Sequence, residues 1–219
     1  MILTVCSPGG IVMASDRFRK SLSYAYPGPL SGRENLFLCP NGAGISVNGE
    51  GIAGQEEPES AFWHMDAEIR RMIQACIDKD STIEDVSRQI LDCFSGSVSA
   101  DTVFHVGGYG SVPAEPFLFE VRPAENHSVR LSFNLLTERL YAGYFFSGGN
   151  DIAPRLYALN GTACEQFTLQ DSVDFARFSF EVERQIRRFQ TAGPLTPETV
   201  DILALTPESS RWIQKHTVS

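Results

Sequence analysis

The sequence predicts an α+β fold in which strands and helices form separate layers. Two observations carry this prediction: apolar stretches typical of strands come in blocks, and pairs of amphipathic helices separate the blocks. Because the order is four strands, two helices, four strands, two helices and one or two strands, a parallel βαβ sheet is not favoured. The length of 219 residues and the hydrophobic fraction of 42% suit one domain over residues 1–219.

Two hairpins open the chain. The turn sequence Pro8-Gly9-Gly10 joins the first two strands, and Asn41-Gly42 joins the next two. The four strands are predicted at residues 2–7, 10–15, 36–39 and 44–47. Residues 17–34 are polar and rich in Gly, Pro and Tyr, so they are predicted to form a loop between the hairpins.

Helices and further strands follow the hairpins. The first helix begins at Glu57-Pro58-Glu59, with proline in the first turn and carboxylates at the positive end of the helix dipole. The second begins at the capping box Ser81-Thr-Ile-Glu84. Strands are predicted at residues 102–106, 116–121, 129–133, 141–146 and 200–205, and a helical stretch is predicted to start at 147–151. A helix over residues 169–190 has a predicted apolar face of Phe175, Phe178, Val182, Ile186 and Phe189.

Charge and cysteine content exclude several classes of function. The net charge is −9, and an acidic surface repels phosphate backbones, so nucleic acid is not an expected partner. Five scattered cysteines without a CxxC spacing predict reduced thiols, and no metal or other cofactor is expected. No apolar run reaches the ~20 residues of a membrane-spanning helix, and the first residues lack the basic region of a signal peptide. The prediction is therefore a cytoplasmic protein with no membrane partner.

Five short motifs occur in a fixed order along the chain. They are Gly10–Asp16, Asn35–Phe37 with Gly44–Gly49, Val106–Tyr109 with Pro116–Glu120, Phe146–Gly149, and Val200–Pro207. In order and spacing they resemble the motifs of proteasome β subunits and their bacterial relatives, which are N-terminal nucleophile (Ntn) hydrolases. The resemblance implies a four-layer αββα sandwich and a threonine-type peptidase or amidohydrolase. It also implies peptide or protein substrates and a homo-oligomeric ring or stacked ring.

The resemblance also implies a site around the N-terminus. In the family, the hydroxyl of an N-terminal threonine attacks an amide, and its own α-amino group is the base. Asp16 matches the aspartate that tunes the amine, Ser147 matches the serine that assists it, and Gly49 matches the glycine turn that stabilises the oxyanion. By residue type alone, the same three positions fit an aspartate that ends a strand, a turn serine and a turn glycine.

The sequence departs from the family at two positions. Asn35 stands where the family has its lysine, and an uncharged side chain cannot lower the pKa of a neighbouring amine. Arg33 is two residues away and could replace the lysine. The threonine nucleophile itself would fall just upstream of Met1. Thr4 could become N-terminal only after loss of residues 1–3, and otherwise it is an ordinary strand threonine.

Other reactive side chains have weaker cases. Cys6 and Ser7 lie closer to the first turn than Thr4 and are poorer nucleophile candidates. Lone histidines without a partner triad in the sequence are predicted to be hydrogen-bonded structural residues. They are His64, His105 and His127.

Three functions remain open from the sequence. The first is a catalytically degenerate proteasome-fold subunit for assembly or binding, and it rests on the missing nucleophile and on Asn35. The second is a peptidase or amidohydrolase processed to Thr4. The third is a binder of small molecules or peptides in the cleft between the sheets. An oligomer gains support from Trp63 and Phe180, which lie off the apolar stripes of their helices, although packing within the domain explains them equally.

Overall fold

The computed structural model describes residues 1–16, 34–49, 65–110, 115–134, 139–140, 142–148, 157, 162–187 and 200–216. Within these ranges the chain forms two five-stranded antiparallel sheets, a separate two-stranded ladder and three α-helices. The strands are β1 (Ile2–Ser7), β2 (Gly10–Asp16), β3 (Leu36–Leu38), β4 (Gly44–Asn48), β5 (Val103–Tyr109), β6 (Pro116–Arg122), β7 (His127–Arg130), β8 (Phe133–Asn134), β9 (Arg139–Leu140), β10 (Gly143–Ser147), β11 (Val200–Leu205) and β12 (Ser210–Gln214). The helices are α1 (Met65–Cys76), α2 (Ile83–Phe94) and α3 (Leu169–Arg187).

Each sheet contains one of the two predicted hairpins. The first sheet has the order β10-β1-β2-β11-β12, and the second has the order β3-β4-β5-β6-β7. All neighbouring strands in both sheets run antiparallel. This confirms the predicted combination of helices with antiparallel sheets rather than a parallel βαβ sheet.

Three apolar clusters connect the helices and sheets. The first joins α1 and α2 to the second sheet, with Ile90 and Phe104 among its fully buried members. The second joins α3 to the first sheet and includes Ala176. The third contains residues of both sheets, such as Met13 and Leu118. Strands β1 and β2 are buried along their whole length because one face contacts α3 and the other contacts the second sheet.

The N-terminal cap of α2 lies one residue later than predicted. The hydroxyl of Thr82 accepts a hydrogen bond from the backbone N–H of Asp85 at 3.1 Å, and the Asp85 carboxylate accepts one from the backbone N–H of Thr82 at 3.0 Å. Ser81 instead donates its hydroxyl hydrogen to Asp78 at 2.9 Å. The box predicted at Ser81 and Glu84 is therefore wrong, because the preceding turn already uses the Ser81 hydroxyl.

The buried face of α3 also differs from the prediction. Phe178 is 57% exposed, whereas Phe180, which the sequence placed off the apolar stripe, is buried in the cluster with the first sheet. The buried stripe includes two small polar residues, Ser172 and Ser179, whose hydroxyls donate to the backbone carbonyls of Thr168 and Phe175. A prediction from large apolar residues alone misses these buried serines, and it therefore assigns the wrong side of the helix to the buried face.

Most predicted strands are present with shifted ends. Strand β5 continues to Tyr109, and the predicted strand at 129–133 is replaced by β7 and β8. The start of the first helix at Glu57, Trp63 and most of the helical stretch predicted after Ser147 lie outside the described residues. Among the helices that the structure describes, none combines the length and apolar character needed to cross a membrane.

Candidate functional site

The N-terminal amine meets Asp16 at the end of the first hairpin. The β1–β2 register pairs Ile2 with Ser15, which brings Met1 opposite Asp16. The α-ammonium of Met1 donates to Oδ1 of Asp16 at 2.8 Å, and both groups are buried. A charge-assisted hydrogen bond of this kind fixes the amine in place.

Asn35 lies beside this ion pair. Its side-chain amide donates to the backbone carbonyl of Asp16 at 2.7 Å, and its backbone carbonyl accepts the backbone N–H of Val47 at 2.9 Å. The residue is 3% exposed and ties the start of the second sheet to the end of β2. The position that the resemblance assigns to a lysine therefore lies next to Asp16 and is uncharged. Arg33, the possible substitute, lies outside the described residues.

Thr4 and Ser147 form a second polar group, and His105 joins them. Oγ1 of Thr4 is 3.0 Å from Nδ1 of His105, and Nε2 of His105 is 3.0 Å from Oγ of Ser147. Thr4 and Ser147 belong to the first sheet and His105 belongs to the second, so the imidazole links the two sheets. Thr4 and His105 have no solvent exposure, and Ser147 is 9% exposed.

Burial keeps the imidazole of His105 neutral. The pKa of His105 falls from its ordinary value of 6.5 to about 4, chiefly because burial removes the ring from water; the carboxylate of Glu120 opposes this fall, and the guanidinium of Arg122 adds to it. Glu120 lies opposite His105 in the β5–β6 register and accepts a hydrogen bond from Arg122 at 2.8 Å. A neutral ring donates at one nitrogen and accepts at the other. Either tautomer suits hydroxyl partners, since a hydroxyl can do both.

Sequence reasoning missed the role of His105. It correctly described a histidine that is hydrogen bonded, but not one that connects Thr4 to Ser147. The available signal was its position in β5, between Phe104 and Val106, whose side chains lie in the cluster with α1 and α2. Alternation along a strand directs the intervening side chain to the opposite face, toward the other sheet. Its partners, more than 40 residues away in each case, cannot be identified from that pattern.

The two polar groups lie on different faces of the first sheet. Alternation along β2 puts Asp16 on the face of Val12 and Ala14, which belong to the cluster with α3. Thr4 and Ser147 contact His105 on the face that meets the second sheet. The structure thus brings Asp16 together with Asn35, and Thr4 together with Ser147, without joining the two pairs into one cluster.

Two glycine turns lie at the ends of β4 and β10. Gly49 follows β4 with a φ of 136°, and an added Cβ would lie 2.5 Å from Cα of Thr102. Gly148 has a φ of 75°, and an added Cβ would lie 2.2 Å from Oδ1 of Asn48. The amide of Asn48 therefore covers Gly148 and brings the end of β4 against the end of β10. Whether Gly49 donates to an oxyanion stays a prediction.

The remaining nucleophile candidates are occupied or protonated. Burial raises the pKa of the Cys6 thiol to about 11, so it is not a thiolate near neutral pH. The hydroxyl of Ser7 donates to the backbone carbonyl of Gly10 at 3.2 Å and lies 2.9 Å from that of Ser172.

His127 is exposed on β7, and His64 lies outside the described residues. In the part of the chain that the structure describes, no group of three or more His, Cys, Asp or Glu side chains could hold a metal ion.

No protein-family model and no curated protein sequence matches the chain. Solved structures do match it over nearly its whole length. Anbu, an ancestral β-subunit from Yersinia bercovieri, has a TM-score of 0.63 at 11% identity, over 98% of this chain and 87% of its own. Anbu from Hyphomicrobium sp. strain MC1 has a TM-score of 0.61 at 13% identity, over 99% of this chain and 88% of its own. The Gly-1 mutant from that strain has a TM-score of 0.60 at 14% identity, over 97% of this chain and 86% of its own.

The chain has the ancestral β-subunit fold. This confirms, for the fold, the proteasome β-subunit-like resemblance that the five motifs indicated. At 11–14% identity the likeness extends to the ancestral β-subunit fold alone and assigns no residue a role. The roles of Asp16, Ser147, Gly49 and Thr4 therefore depend on the geometry of this chain.

Proposed function

We propose that the chain is a catalytically degenerate subunit with a proteasome-like fold, which assembles or binds partners without N-terminal threonine hydrolysis. The observation that carries this proposal is the situation of Thr4. Its side chain has no solvent exposure, and its hydroxyl is hydrogen bonded to His105. Its backbone lies within β1, between Met13 of β2 and Phe145 of β10. A substrate carbonyl cannot reach a hydroxyl in this position.

Exposure of Thr4 as an N-terminal residue would cost much of the fold's stability. Residues 1–3 would have to be removed, and Ile2 and Leu3 have no solvent exposure. Burial of an Ile or Leu side chain stabilises a protein by about 1.5–3 kcal/mol. Loss of both is therefore worth about 3–6 kcal/mol, compared with the ~5–15 kcal/mol that holds a typical domain folded. This comparison supports retention of β1 as a complete strand.

The surroundings of Asp16 also support a degenerate site. Its carboxylate accepts from the Met1 ammonium, and the neighbouring side chain at position 35 is a neutral amide. Family chemistry needs the attacking hydroxyl and the basic amine to belong to the same residue, with a cation nearby to tune the amine. Here Asp16 and the hydroxyl of Thr4 lie on opposite faces of the sheet.

The proposal includes the wider architecture and the assembly. The three apolar clusters fit a four-layer αββα sandwich, with α1 and α2 outside the second sheet and α3 outside the first. We expect a cytoplasmic homo-oligomer, in a ring or stacked ring, because the structures that share the fold include one described as an ancestral β-subunit. Peptides or proteins are the expected partners.

A peptidase processed to Thr4 is the second candidate. The observation in its favour is the 3.0 Å contact between Oγ1 of Thr4 and Nδ1 of His105. A neutral imidazole at this distance can accept the proton of an attacking hydroxyl. A binder of small molecules or peptides between the sheets is the third candidate. In its favour, the buried hydroxyl of Ser46, which lies opposite His105 on β4, has no hydrogen-bond partner in the described part of the chain.

An electrophilic probe separates these candidates. The full-length protein is incubated with a fluorescent β-lactone that acylates N-terminal threonine, beside the Thr4→Ala variant and an active threonine peptidase as positive control. The proposal predicts no labelling of the wild-type chain. Labelling that disappears in Thr4→Ala would overturn it in favour of the peptidase. Labelling that persists in Thr4→Ala would also overturn it and would locate the nucleophile elsewhere.

A further inference from the structure

Two of the five cysteines are exposed, and they lie on neighbouring helices. Cys76 is the last residue of α1, and Cys93 is the second-last residue of α2. Their neighbours at helical spacing, Met72 and Ile73 on α1 and Ile90 on α2, belong to one buried cluster with the second sheet. The two exposed thiols therefore lie on the solvent side of the contact between α1 and α2.

The thiols of Cys76 and Cys93 interact directly. Partial burial is the main cause of a raised pKa at Cys93, and the charge of Cys76 and a hydrogen bond between the two side chains add to it. Side chains that hydrogen bond through their sulfurs already point toward a common position. This is the main geometric requirement of a disulfide, whose two Cβ atoms lie only ~4 Å apart.

The other three cysteines are protected from oxidation. All of them are buried. Burial raises the pKa of Cys6 and of Cys164 to about 11, and that of Cys39 to about 12. Because the thiolate is the form that attacks an oxidant or a disulfide, these protonated and shielded groups should not react near neutral pH. Oxidation should therefore be confined to the exposed pair.

We propose that Cys76 and Cys93 form a reversible disulfide with a small-molecule disulfide as the oxidant, and that this bond locks α1 to α2. The Cys76 thiolate attacks the reagent, which gives a mixed disulfide and releases one reagent thiolate. The Cys93 thiolate then attacks the Cys76 sulfur and releases the second. The protein loses two protons and two electrons, and the electrons reduce the reagent to two thiols. This site goes beyond the proposed assembly role and does not depend on it.

The surroundings of Cys93 set the order of the two steps. Its raised pKa leaves Cys76 as the first thiolate to attack. Formation of the mixed disulfide removes the charge of Cys76, and with it one of the causes that keep Cys93 protonated. Cys93 then loses its proton more readily, next to the sulfur that it has to attack.

The first test treats the reduced full-length protein with cystamine, a disulfide whose positive charge suits a chain with a net charge of −9. Remaining thiols are blocked with N-ethylmaleimide in urea and counted by intact mass. Three of the five thiols should be blocked, with no cysteamine retained. Trypsin without reduction should then release peptide 72–79 linked to peptide 89–130, which contain Cys76 and Cys93. Five blocked thiols, retained cysteamine or a link between other cysteines would overturn the proposal.

Cys76→Ser and Cys93→Ser are matched controls, since each removes one exposed sulfur and retains a small polar side chain. Neither should form an internal disulfide. Cys93→Ser should retain one cysteamine on Cys76, because no second thiol releases it. Cys76→Ser should react more slowly, because burial still raises the pKa of Cys93. Circular dichroism verifies that both variants are folded. An internal disulfide in either variant would overturn the assignment, and faster reaction of Cys76→Ser would overturn the order of the steps.

The second test measures the thermal midpoint of the oxidised and the reduced protein. The bond closes the chain between residues 76 and 93, and a cross-link of this kind restricts the unfolded state. The oxidised protein should therefore unfold at a temperature higher by about 5–10 °C, and dithiothreitol should restore the lower value. Neither serine variant should show this shift after the same treatment. An unchanged or lower midpoint would show that the bond strains the helices and would overturn the lock.

The disulfide and the proposed function fail in different ways. Absence of the Cys76–Cys93 bond overturns the oxidation site and leaves the assembly role intact. Labelling of the wild-type chain by the β-lactone, lost in Thr4→Ala, overturns the degenerate-subunit proposal and leaves the oxidation site intact.

Discussion

Acidification should weaken this fold through the buried imidazole of His105. The ring links the two sheets through the hydroxyls of Thr4 and Ser147 and has no solvent exposure. Burial holds its pKa at about 4, compared with an ordinary value of 6.5 that the unfolded chain should show. Below pH 6.5 the unfolded chain binds a proton that the folded chain refuses, so protonation favours unfolding. The contribution of His105 to stability is complete above pH 6.5, falls progressively as the pH drops from 6.5 to about 4, and is fully lost below that.

The size of the effect follows from the two pKa values. Each pH unit between them changes the free energy of unfolding by about 1.4 kcal/mol. At about pH 5 the loss due to His105 should reach about 2 kcal/mol, and below pH 4 it should level off at about 3 kcal/mol. Protonation does not break the contacts with Thr4 and Ser147, because both hydroxyls can accept from an imidazolium. The cost comes from the burial of a charge.

Urea unfolding at about pH 7.5 and about pH 5, followed by circular dichroism, measures this loss. The comparison variant is His105→Gln, which cannot titrate but retains a polar side chain. It should be less stable than the wild type at pH 7.5 by about 1–3 kcal/mol, because one of the two hydroxyls loses its partner. Its further loss at pH 5 should be smaller than that of the wild type by about 2 kcal/mol. His127→Gln, at an exposed histidine, should follow the wild type.

The comparison has a clear contrary outcome. Any other group that titrates between these pH values is the same in the wild type and in His105→Gln, so its effect cancels in the difference. If the two proteins lose equal free energy between pH 7.5 and pH 5, then the imidazole of His105 is not held neutral by burial. The description of the polar link between the sheets would then be wrong.

Two further substitutions test contacts of the chain neighbours of Asn35 and Ser147. Glu34→Gln should lower the free energy of unfolding by about 1–3 kcal/mol in urea titrations. The reason is that this buried carboxylate pairs with Arg70 of α1 and, at 3.0 Å, with Lys215 after β12. An unchanged urea midpoint would contradict its role in joining α1 to the segment after β12. Gly148→Ala should reduce the thermal midpoint by an amount equivalent to about 1–3 kcal/mol, since φ is 75° and the new Cβ would meet the amide of Asn48. A Gly148→Ala protein as stable as the wild type would show that the turn can relax.

The sequence predicts those parts of the fold that depend on local patterns. The Asn41-Gly42 turn correctly identifies the hairpin of β3 and β4, and the apolar run at 200–205 matches β11. Such elements follow from turn chemistry and side-chain alternation over a few residues. The motif order then predicts a proteasome β-subunit-like fold, and the likeness to the Anbu structures at 11–14% identity confirms it for the fold.

Features that depend on distant contacts could not be predicted in this way. His105 is separated from Thr4 by 101 residues, and only the stacking of the two sheets brings them together. The exposure of Phe178 depends on which side of α3 meets the first sheet, and the small residues Ser172 and Ser179 decide that side. The faces of Asp16 and Thr4 likewise become clear only when the sheet is assembled, and their separation weakens the case for family chemistry.

The intact mass of the purified full-length protein tests the central claim most directly. The claim is that β1 remains whole, with Ile2 and Leu3 buried and with Thr4 inside the strand. The account predicts a mass that includes Ile2 and Leu3, unchanged after incubation with the β-lactone probe. A mass that corresponds to a chain starting at Thr4, increased by one probe adduct, would contradict it and would establish a threonine nucleophile.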